Sequence, residues 1–179
     1  MKWIARAVLG AALLALGLWL WSVLFPGPET IIRKRLAALA ADASFAGNEG
    51  PMVRAAKIAR ILSLFSLDAE ITFDAPGRGV HTLRGREDIR QAALGAQSVL
   101  PSLKVEFLDV NVTLAPDRQS AVVDLTARGR TGAEPGAFVQ EMKFTFQKLN
   151  DRWLIVRVET VKTLSRAPDA ALAFRTAHD

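Results

Sequence analysis

The sequence predicts an α+β protein, in which an N-terminal transmembrane helix precedes a domain of three helices packed on a curved antiparallel sheet. Three observations predict it. An uncharged apolar run occupies residues 7–25, apolar residues then recur at helical spacing, and from Leu103 onward they alternate along four segments joined by short turns. The chain has 179 residues, of which half are hydrophobic and 23% charged, as is typical of one foldable domain with extensions.

The apolar run of nineteen residues is long enough to cross a bilayer, since a helix rising about 1.5 Å per residue would span roughly 28 Å. A cleaved signal peptide is the alternative, because Lys2 and Arg6 precede the run. The run is longer than a usual signal-peptide core, and no small-residue cleavage site follows it. We therefore expect an uncleaved anchor over residues 1–27. Its aromatic residues suited to the membrane interfaces are Trp3, Trp19, Trp21 and Phe25.

The positive-inside rule sets the expected orientation of this anchor. Lys2, Arg6 and the α-amino group lie beside the run, whereas the basic residues 33–35 lie further from it. We expect a single-pass protein of the inner membrane, with its N-terminus in the cytoplasm and its folded domain, residues 28–164, in the periplasm. The absence of cysteine excludes a lipid-modified cysteine anchor and leaves the compartment open.

The first helix of the domain follows the anchor closely. Pro26 and Pro28 end the anchor helix, because proline removes a backbone donor and restricts the residue before it. Apolar residues then recur at helical spacing, namely Ile32, Leu36, Leu39 and Ala43. This pattern predicts an amphipathic helix over residues 28–45.

Two more helices flank a short strand. Pro51 suits the first turn of a second helix, which carries an apolar stripe from Ile58 to Phe65. Residues 71–74 then alternate as a half-buried strand does. We expect a loop after this strand and a third helix beginning at Gly85.

Four strands form the rest of the domain: residues 103–114, 120–130, 138–149 and 153–164. Their short connections, including the tight Asn150-Asp151, predict an antiparallel meander. The apolar alternation changes phase at Phe107–Leu108, which predicts a bulge that would let the sheet curl around a helix. Residues 165–179 have weak periodicity and are predicted to be a mobile tail.

Three segments carry a family resemblance. Ile71-Thr-Phe-Asp-Ala-Pro-Gly, Gly85-Arg-Glu-Asp-Ile89 and the stretch Phe144-Thr-Phe-Gln-Lys-Leu-Asn-Asp-Arg-Trp-Leu-Ile-Val-Arg-Val occur in that order. They are similar to the first strand and loop, the glycine-led helix and the closing hairpin of the nuclear-transport-factor-2-like, or SnoaL-like, cone-fold superfamily. The resemblance covers about residues 28–164. It implies a conical cavity, which members use for isomerase, cyclase or dehydratase chemistry, for binding, or only for association.

The resemblance does not transfer a catalytic base to this chain. In the ketosteroid-isomerase branch, a carboxylate directly before a proline at the end of the first strand is the general base, and Ala75 stands there instead. Asp74 is one residue out of phase with Ile71 and Phe73, so strand alternation predicts that it faces away from the cavity.

Three other residues are candidates for cavity chemistry. His81 is a candidate because imidazole is the commonest general acid or base in proteins, and its loop is expected near the mouth of the cone. Asp124 and Arg157 lie on central strands and could point into the cavity. Arg157 could instead pair across the sheet with Glu159 or Glu141, which is the commoner use of such a residue.

Several classes of partner lack a sequence signal. With no cysteine and two histidines, one of them in the tail, the chain offers no expected transition-metal site. We expect no cofactor, because dinucleotide, phosphate-loop and serine-hydrolase motifs are absent. Residues 28–164 carry 19 basic and 16 acidic residues spread along the chain, so no nucleic-acid partner is expected.

The sequence therefore favours a membrane-anchored, non-catalytic module that serves association or binds a small apolar ligand. Its last strand is apolar on both faces, and Trp153, Ile155 and Val161 are its candidate interface with a second copy or an envelope complex. The assembly scaffold of type IV secretion systems is a precedent for an anchored cone domain. The alternative is a small-molecule isomerase, cyclase or dehydratase. A third possibility is a membrane-surface sensor that uses the basic residues 33–35.

Overall fold

The computed structural model describes residues 27–75, 79–132 and 137–165. The predicted anchor, with its four aromatic residues, and the predicted tail beyond Ser165 lie outside these ranges and stay predictions. Within the described ranges, no helix has the length and apolar character that crossing a membrane requires.

Three helices form in the order that the sequence predicts: α1 Pro28–Ala43, α2 Pro51–Leu64 and α3 Gly85–Val99. The first two begin at a proline, whose fixed φ and missing N–H suit the first helical turn. At the start of α3, Gly85 has a φ of +73°. A Cβ atom there would also lie 3.2 Å from the carbonyl oxygen of Leu67, so glycine is favoured at this position.

The helices cover one face of a six-stranded sheet with the strand order β2-β1-β6-β5-β4-β3. The strands are β1 Phe65–Ala75, β2 Gly79–Arg84, β3 Leu103–Leu114, β4 Ser120–Thr131, β5 Ala137–Leu149 and β6 Arg152–Ser165. The meander of β3 to β6 is antiparallel as predicted, but β1 runs parallel to β6, so the sheet is mixed. The α+β class and the helix-on-sheet arrangement are confirmed.

The edge strand β2 replaces the expected loop. It pairs with β1 in an antiparallel hairpin that places His81 opposite Phe73 and Leu83 opposite Ile71. Five of its six residues are exposed and only Leu83 is half-buried. An exposed edge strand of this kind lacks the apolar alternation by which strands are recognised in a sequence.

Two local predictions about the meander are confirmed. The register of β3 against β4 shifts between Leu108 and Asn111, and Asp109 there has a φ of 52°. In the β5–β6 hairpin, Asn150 and Asp151 have φ values of 48° and 61°, as in a two-residue type I′ turn. Such a bulge bends its strand and increases the local twist, and the turn fixes the register of the last two strands.

The core lies between the helices and the face of the sheet that they cover. It includes Ile32, Leu36, Val123, Phe144 and Phe146. Two residues of the predicted interface also belong to it, because Trp153 and Ile155 are 3% and 0% exposed. A register shift of β6 against β5 then brings Val158 onto the same inner face. Of the three predicted interface residues, only Val161 lies on the surface of the chain.

Two contacts fix the direction of α1 against the neighbouring edge strand β3. Near the end of the helix, the Ser44 hydroxyl accepts a hydrogen bond from the backbone N–H of Val105 at 2.9 Å. Nearer its start, the Arg33 guanidinium donates to the carbonyl oxygen of Val110 at 2.8 Å. The helix therefore runs antiparallel to β3.

Candidate ligand cavity

A cavity of about 230 Å³ lies between the three helices and the sheet. All three helices line it, together with β1, β2 and the start of β3. Of its fourteen lining residues, only Asp42 and Gln97 are polar. The cavity is therefore an apolar space with two polar groups on its wall.

The space exists because the third helix presents small side chains to it. Ile89 is the one buried residue of α3, and the next positions on the same helical face are Ala92, Ala93 and Ala96. Side chains spaced by three or four residues share a face of a helix. Methyl groups at these positions reach less far toward Ile71 and Leu83 on the sheet than longer side chains would, and the unfilled volume is the cavity.

An ion pair places a carboxylate on the cavity wall. Arg60 of α2 donates to Asp42 of α1 through Nη2–Oδ1 at 2.7 Å, Nε–Oδ1 at 2.9 Å and Nε–Oδ2 at 3.1 Å. The side chain of Asp42 is 13% exposed and that of Arg60 is 55% exposed. The hydrogen bond to Asp42 raises the pKa of Arg60. Because a carboxylate can accept about four hydrogen bonds, Asp42 keeps acceptor capacity for a ligand.

Gln97 of α3 is the second polar group on the wall. Its backbone carbonyl oxygen accepts a hydrogen bond from Arg54 Nη1 at 3.4 Å. Its side-chain amide makes no hydrogen bond with any residue that the structure describes. The amide can both donate and accept, so it is free to bind a polar atom of a ligand.

The loop between α1 and α2 closes the end of the cavity beside Phe45. The guanidinium carbon of Arg54 lies 5.8 Å from the centre of the Phe45 ring. The ammonium group of Lys57 donates to the Ser44 carbonyl oxygen at 2.8 Å and to Glu49 Oε1 at 2.6 Å. The hydrogen bond from Lys57 lowers the pKa of Glu49. These contacts hold Phe45 as a wall of the cavity.

His81 lies on the same face of the β1–β2 hairpin as the cavity-lining Leu83, two residues nearer the hairpin tip. Because two strand residues span about 7 Å, His81 lies about that far along β2 from Leu83. The imidazole is exposed and stacks on Phe73, with ring centroids 5.7 Å apart. Among the described residues, no carboxylate is hydrogen-bonded to His81.

Asp124 and Arg157 lie on the opposite face of the sheet from the cavity. Asp124 is exposed between the buried Val123 and Leu125, and its neighbours across the sheet are Asn111 and Lys143. It lines a shallow outer depression of about 210 Å³. The structure does not bring it together with His81 or with the cavity.

Arg157 makes the kind of cross-strand pair that the sequence suggests, but with a different partner. Its Nη2 lies 3.4 Å from Oε2 of Glu70, because β1 runs beside β6 and places Glu70 opposite Arg157. Glu70 also lies 3.6 Å from Arg84. The side chain of Arg157 is 54% exposed, so the pair contributes little to stability.

Sequence reasoning missed Asp42 and Gln97, although helical spacing carries a signal for both. Asp42 follows Leu39 by three residues and so falls within the apolar stripe of α1. Gln97 follows Ala93 by four residues on α3. A polar residue within an apolar stripe is the pattern that would have found them.

No protein-family model and no curated protein matches this chain. Solved structures do. An NTF2-like protein with a cystatin-like fold from Novosphingobium aromaticivorans is similar to it at a TM-score of 0.61 and 18% identity, covering 90% of this chain and 95% of that one. The chain has the NTF2-like cone fold.

Two further cone-fold structures carry functional names. A "putative scytalone dehydratase" from Novosphingobium aromaticivorans has a TM-score of 0.56 and 16% identity, covering 78% of this chain and 89% of that one. The yeast UBP3-associated protein BRE5 has a TM-score of 0.60 and 12% identity, covering 79% of this chain and all of that one. Identities this low establish the shared fold and leave function to the site.

Proposed function

We propose that the cone cavity binds a small, mostly apolar molecule and serves isomerase-, cyclase- or dehydratase-type chemistry. The observation that carries this proposal is the apolar cavity with the Asp42 carboxylate on its wall. An apolar pocket with a few convergent polar groups is the usual form of a small-molecule site.

The size of the cavity sets the size of its ligand. At about 230 Å³ it is smaller than the pockets of roughly 300–1,000 Å³ that hold drug-sized molecules. A molecule of one or two rings would suit it, with a hydroxyl group toward Asp42 or a carbonyl group toward the Gln97 amide.

The chemistry would be proton transfer. Asp42 is the carboxylate on the cavity wall, so the role of general base falls to it, while Arg60 holds its position. The similarity to the Novosphingobium protein named as a dehydratase supports the use of the cavity for reactions of this type.

The binding step is tested with 2-naphthol, a two-ring fluorescent molecule with one hydroxyl group. The full chain, in buffer or in lipid nanodiscs, is titrated against a matched blank without protein. We expect saturable binding that Ala93→Phe abolishes, because the added ring fills the cavity. Ala56→Phe, on an exposed position of α2, is the matched control and should bind normally. Equal binding by both variants would contradict the proposal.

The chemical step is tested with cyclohex-3-en-1-one. A base removes a proton from the carbon between its carbonyl and alkene groups, and return of a proton to the far alkene carbon gives the conjugated enone. We expect the full chain to accelerate the rise in ultraviolet absorbance of that product, and Asp42→Asn to remove the acceleration. Binding of 2-naphthol without turnover of this enone or of a panel of hydroxylated two-ring compounds would leave a binding protein and refute the catalytic part.

The second candidate function is association, as a membrane-anchored module of an envelope complex or a homo-oligomer. The similarity to BRE5, which is named for its association with UBP3, favours it. Mild extraction of the full chain and identification of the proteins that co-purify tests this candidate. A chain that is recovered alone and monomeric would contradict it.

A further inference from the structure

Three segments meet at one end of the cone domain. Because α1 is antiparallel to β3, the helix begins at the end of the sheet where β3 turns into β4. The β5–β6 turn lies at the same end, since the backbone N–H of Lys148 donates to the carbonyl oxygen of Gln119 at 2.8 Å. Arg35 of α1 is close enough to Arg152 for their charges to interact.

These three segments, residues 28–35, 115–119 and 148–152, are named the basic end. They contain six basic residues, Arg33, Lys34, Arg35, Arg118, Lys148 and Arg152. They contain three acidic residues, Glu29, Asp117 and Asp151, of which Asp151 pairs with Lys148 at 3.0 Å. The basic end is therefore positively charged, whereas basic and acidic residues are nearly balanced along the domain as a whole.

Exposed arginines without an ion pair support an anionic partner for the basic end. Burial, and then the charge of Arg152, lower the pKa of Arg35. Arg118 and Arg152 are exposed and make no ion pair within the described residues. An anion arriving at this end would therefore find cationic groups that no acidic side chain already neutralises.

The predicted anchor would bring the basic end to a membrane. The predicted span of residues 7–25 ends two residues before Gly27, which directly precedes α1. One residue extends the chain by at most about 3.6 Å, so the start of α1 lies within roughly 10 Å of the end of that span.

We propose that the basic end docks on the anionic phospholipid headgroups of the membrane that the predicted span, residues 7–25, would enter. The cone then stands with the basic end on the lipid surface and the tip of the β1–β2 hairpin away from it, because β1 and β6 run parallel from this end toward that tip. The proposal concerns a surface distinct from the cavity, so its outcome is independent of the proposed function.

The natural absence of cysteine allows one fluorescent label to be placed at a chosen site of the full chain. Gln119→Cys labels the basic end and Val80→Cys labels the hairpin tip. The labelled chains are reconstituted in phosphatidylcholine vesicles, with or without about 30 mol% phosphatidylglycerol, that carry a nitroxide quencher on the headgroups. We expect stronger quenching at position 119 than at position 80, with a several-fold larger difference in the anionic than in the neutral vesicles, and loss of that increase in about 1 M salt.

A charge-matched pair of variants completes the test. Arg118→Gln with Arg152→Gln should abolish the increase in the quenching difference that anionic lipid causes, whereas Arg128→Gln with Arg130→Gln, at the far end of β4, should preserve it. Equal quenching at the two labels, quenching that is the same without anionic lipid, or failure of the full chain to float with the vesicles would each overturn the proposal.

Discussion

Arg60 donates hydrogen bonds to both carboxylate oxygens of Asp42, at 2.7 to 3.1 Å, and so fixes an acidic group on the wall of a cavity that is otherwise almost wholly apolar. The pair joins α1 to α2 and is the link between the packing of the helices and the chemistry proposed for the cavity. Asp42 therefore contributes both to helix packing and to the proposed ligand binding, and the two contributions can be measured separately.

Asp42→Asn should weaken 2-naphthol more than naphthalene, because only the naphthol can donate a hydrogen bond to the carboxylate. A hydrogen bond to a charged group contributes about 1.5 kcal/mol or more, which is about tenfold in affinity. Equilibrium titration of both molecules measures the difference. Asp117→Asn in the β3–β4 turn is the control. Equal losses for the two molecules would show that the variant acts through the shape of the cavity.

Ala93→Leu should stabilise the domain while it removes binding. The added carbons occupy the cavity beside Ile89, and cavity filling commonly contributes about 0.5–2 kcal/mol. Thermal unfolding would then shift upward by several degrees. Ala56→Leu, on the exposed face of α2, should change the unfolding free energy by less than about 0.5 kcal/mol. A destabilised Ala93→Leu domain would mean that the helices already fill this space.

Ser44→Ala should destabilise the junction of α1 and β3. The hydroxyl donates to the Ala40 carbonyl oxygen at 2.7 Å and accepts from the Val105 N–H at 2.9 Å. Without it, a partly buried backbone donor loses its partner, at a cost of about 1–2 kcal/mol. Denaturant unfolding measures the loss. Ser44→Thr keeps the hydroxyl and should retain most of the stability, so a similar loss in both variants would point to crowding rather than to the hydrogen bond.

Glu87 should stabilise the domain in a pH-dependent way. Hydrogen bonds from Arg90 and Gln91 lower its pKa from 4.5 to about 2. A lowered pKa means that the folded state favours the ionised form, so the contribution is complete above about pH 4.5 and is lost as the pH falls through about 2. Glu87→Gln should therefore cost stability at neutral pH and progressively less in acid.

The matched control for this pH series is Glu29→Gln, which removes one exposed acidic residue from the first turn of α1. Unfolding free energies from pH 7 to about pH 2 would be compared for both variants. The assigned hydrogen bonds would be contradicted if the difference in unfolding free energy between Glu87→Gln and the natural chain stayed constant across this pH range.

Much of the fold could be predicted because buried apolar residues recur in the sequence at the period of the helix or strand that carries them. The stripe of Ile32, Leu36 and Leu39 marks α1, and the change of phase near Phe107 marks the β3 bulge. The exposed strand β2 left no such period, since only Leu83 contacts the interior. The sheet is mixed because β1 pairs with β6 in parallel, and these strands are far apart in the sequence. A local sequence pattern could not predict that pairing.

The candidate site was harder to predict than the fold. Asp124 and Arg157 were candidates because they lie on central strands, but strand alternation turns both to the outer face. Asp42 and Gln97 line the same cavity only because α1 and α3 each pack on α2 and on the sheet. Residues that tertiary packing brings together have no fixed spacing in the sequence. The sequence signal that was available is a polar residue within each apolar stripe.

The location of bound 2-naphthol tests the cavity most directly. Nuclear Overhauser contacts between the naphthol protons and the methyl groups of the full chain distinguish the possible sites. We predict contacts to Ile61, Leu83 and Ile89, which line the cavity, and their loss in Ala93→Phe. A second outer depression lies beside Arg157 and is lined by Leu149 and Val156. Contacts to these two residues, or no contacts at saturating naphthol, would contradict the assignment of the cavity as the small-molecule site.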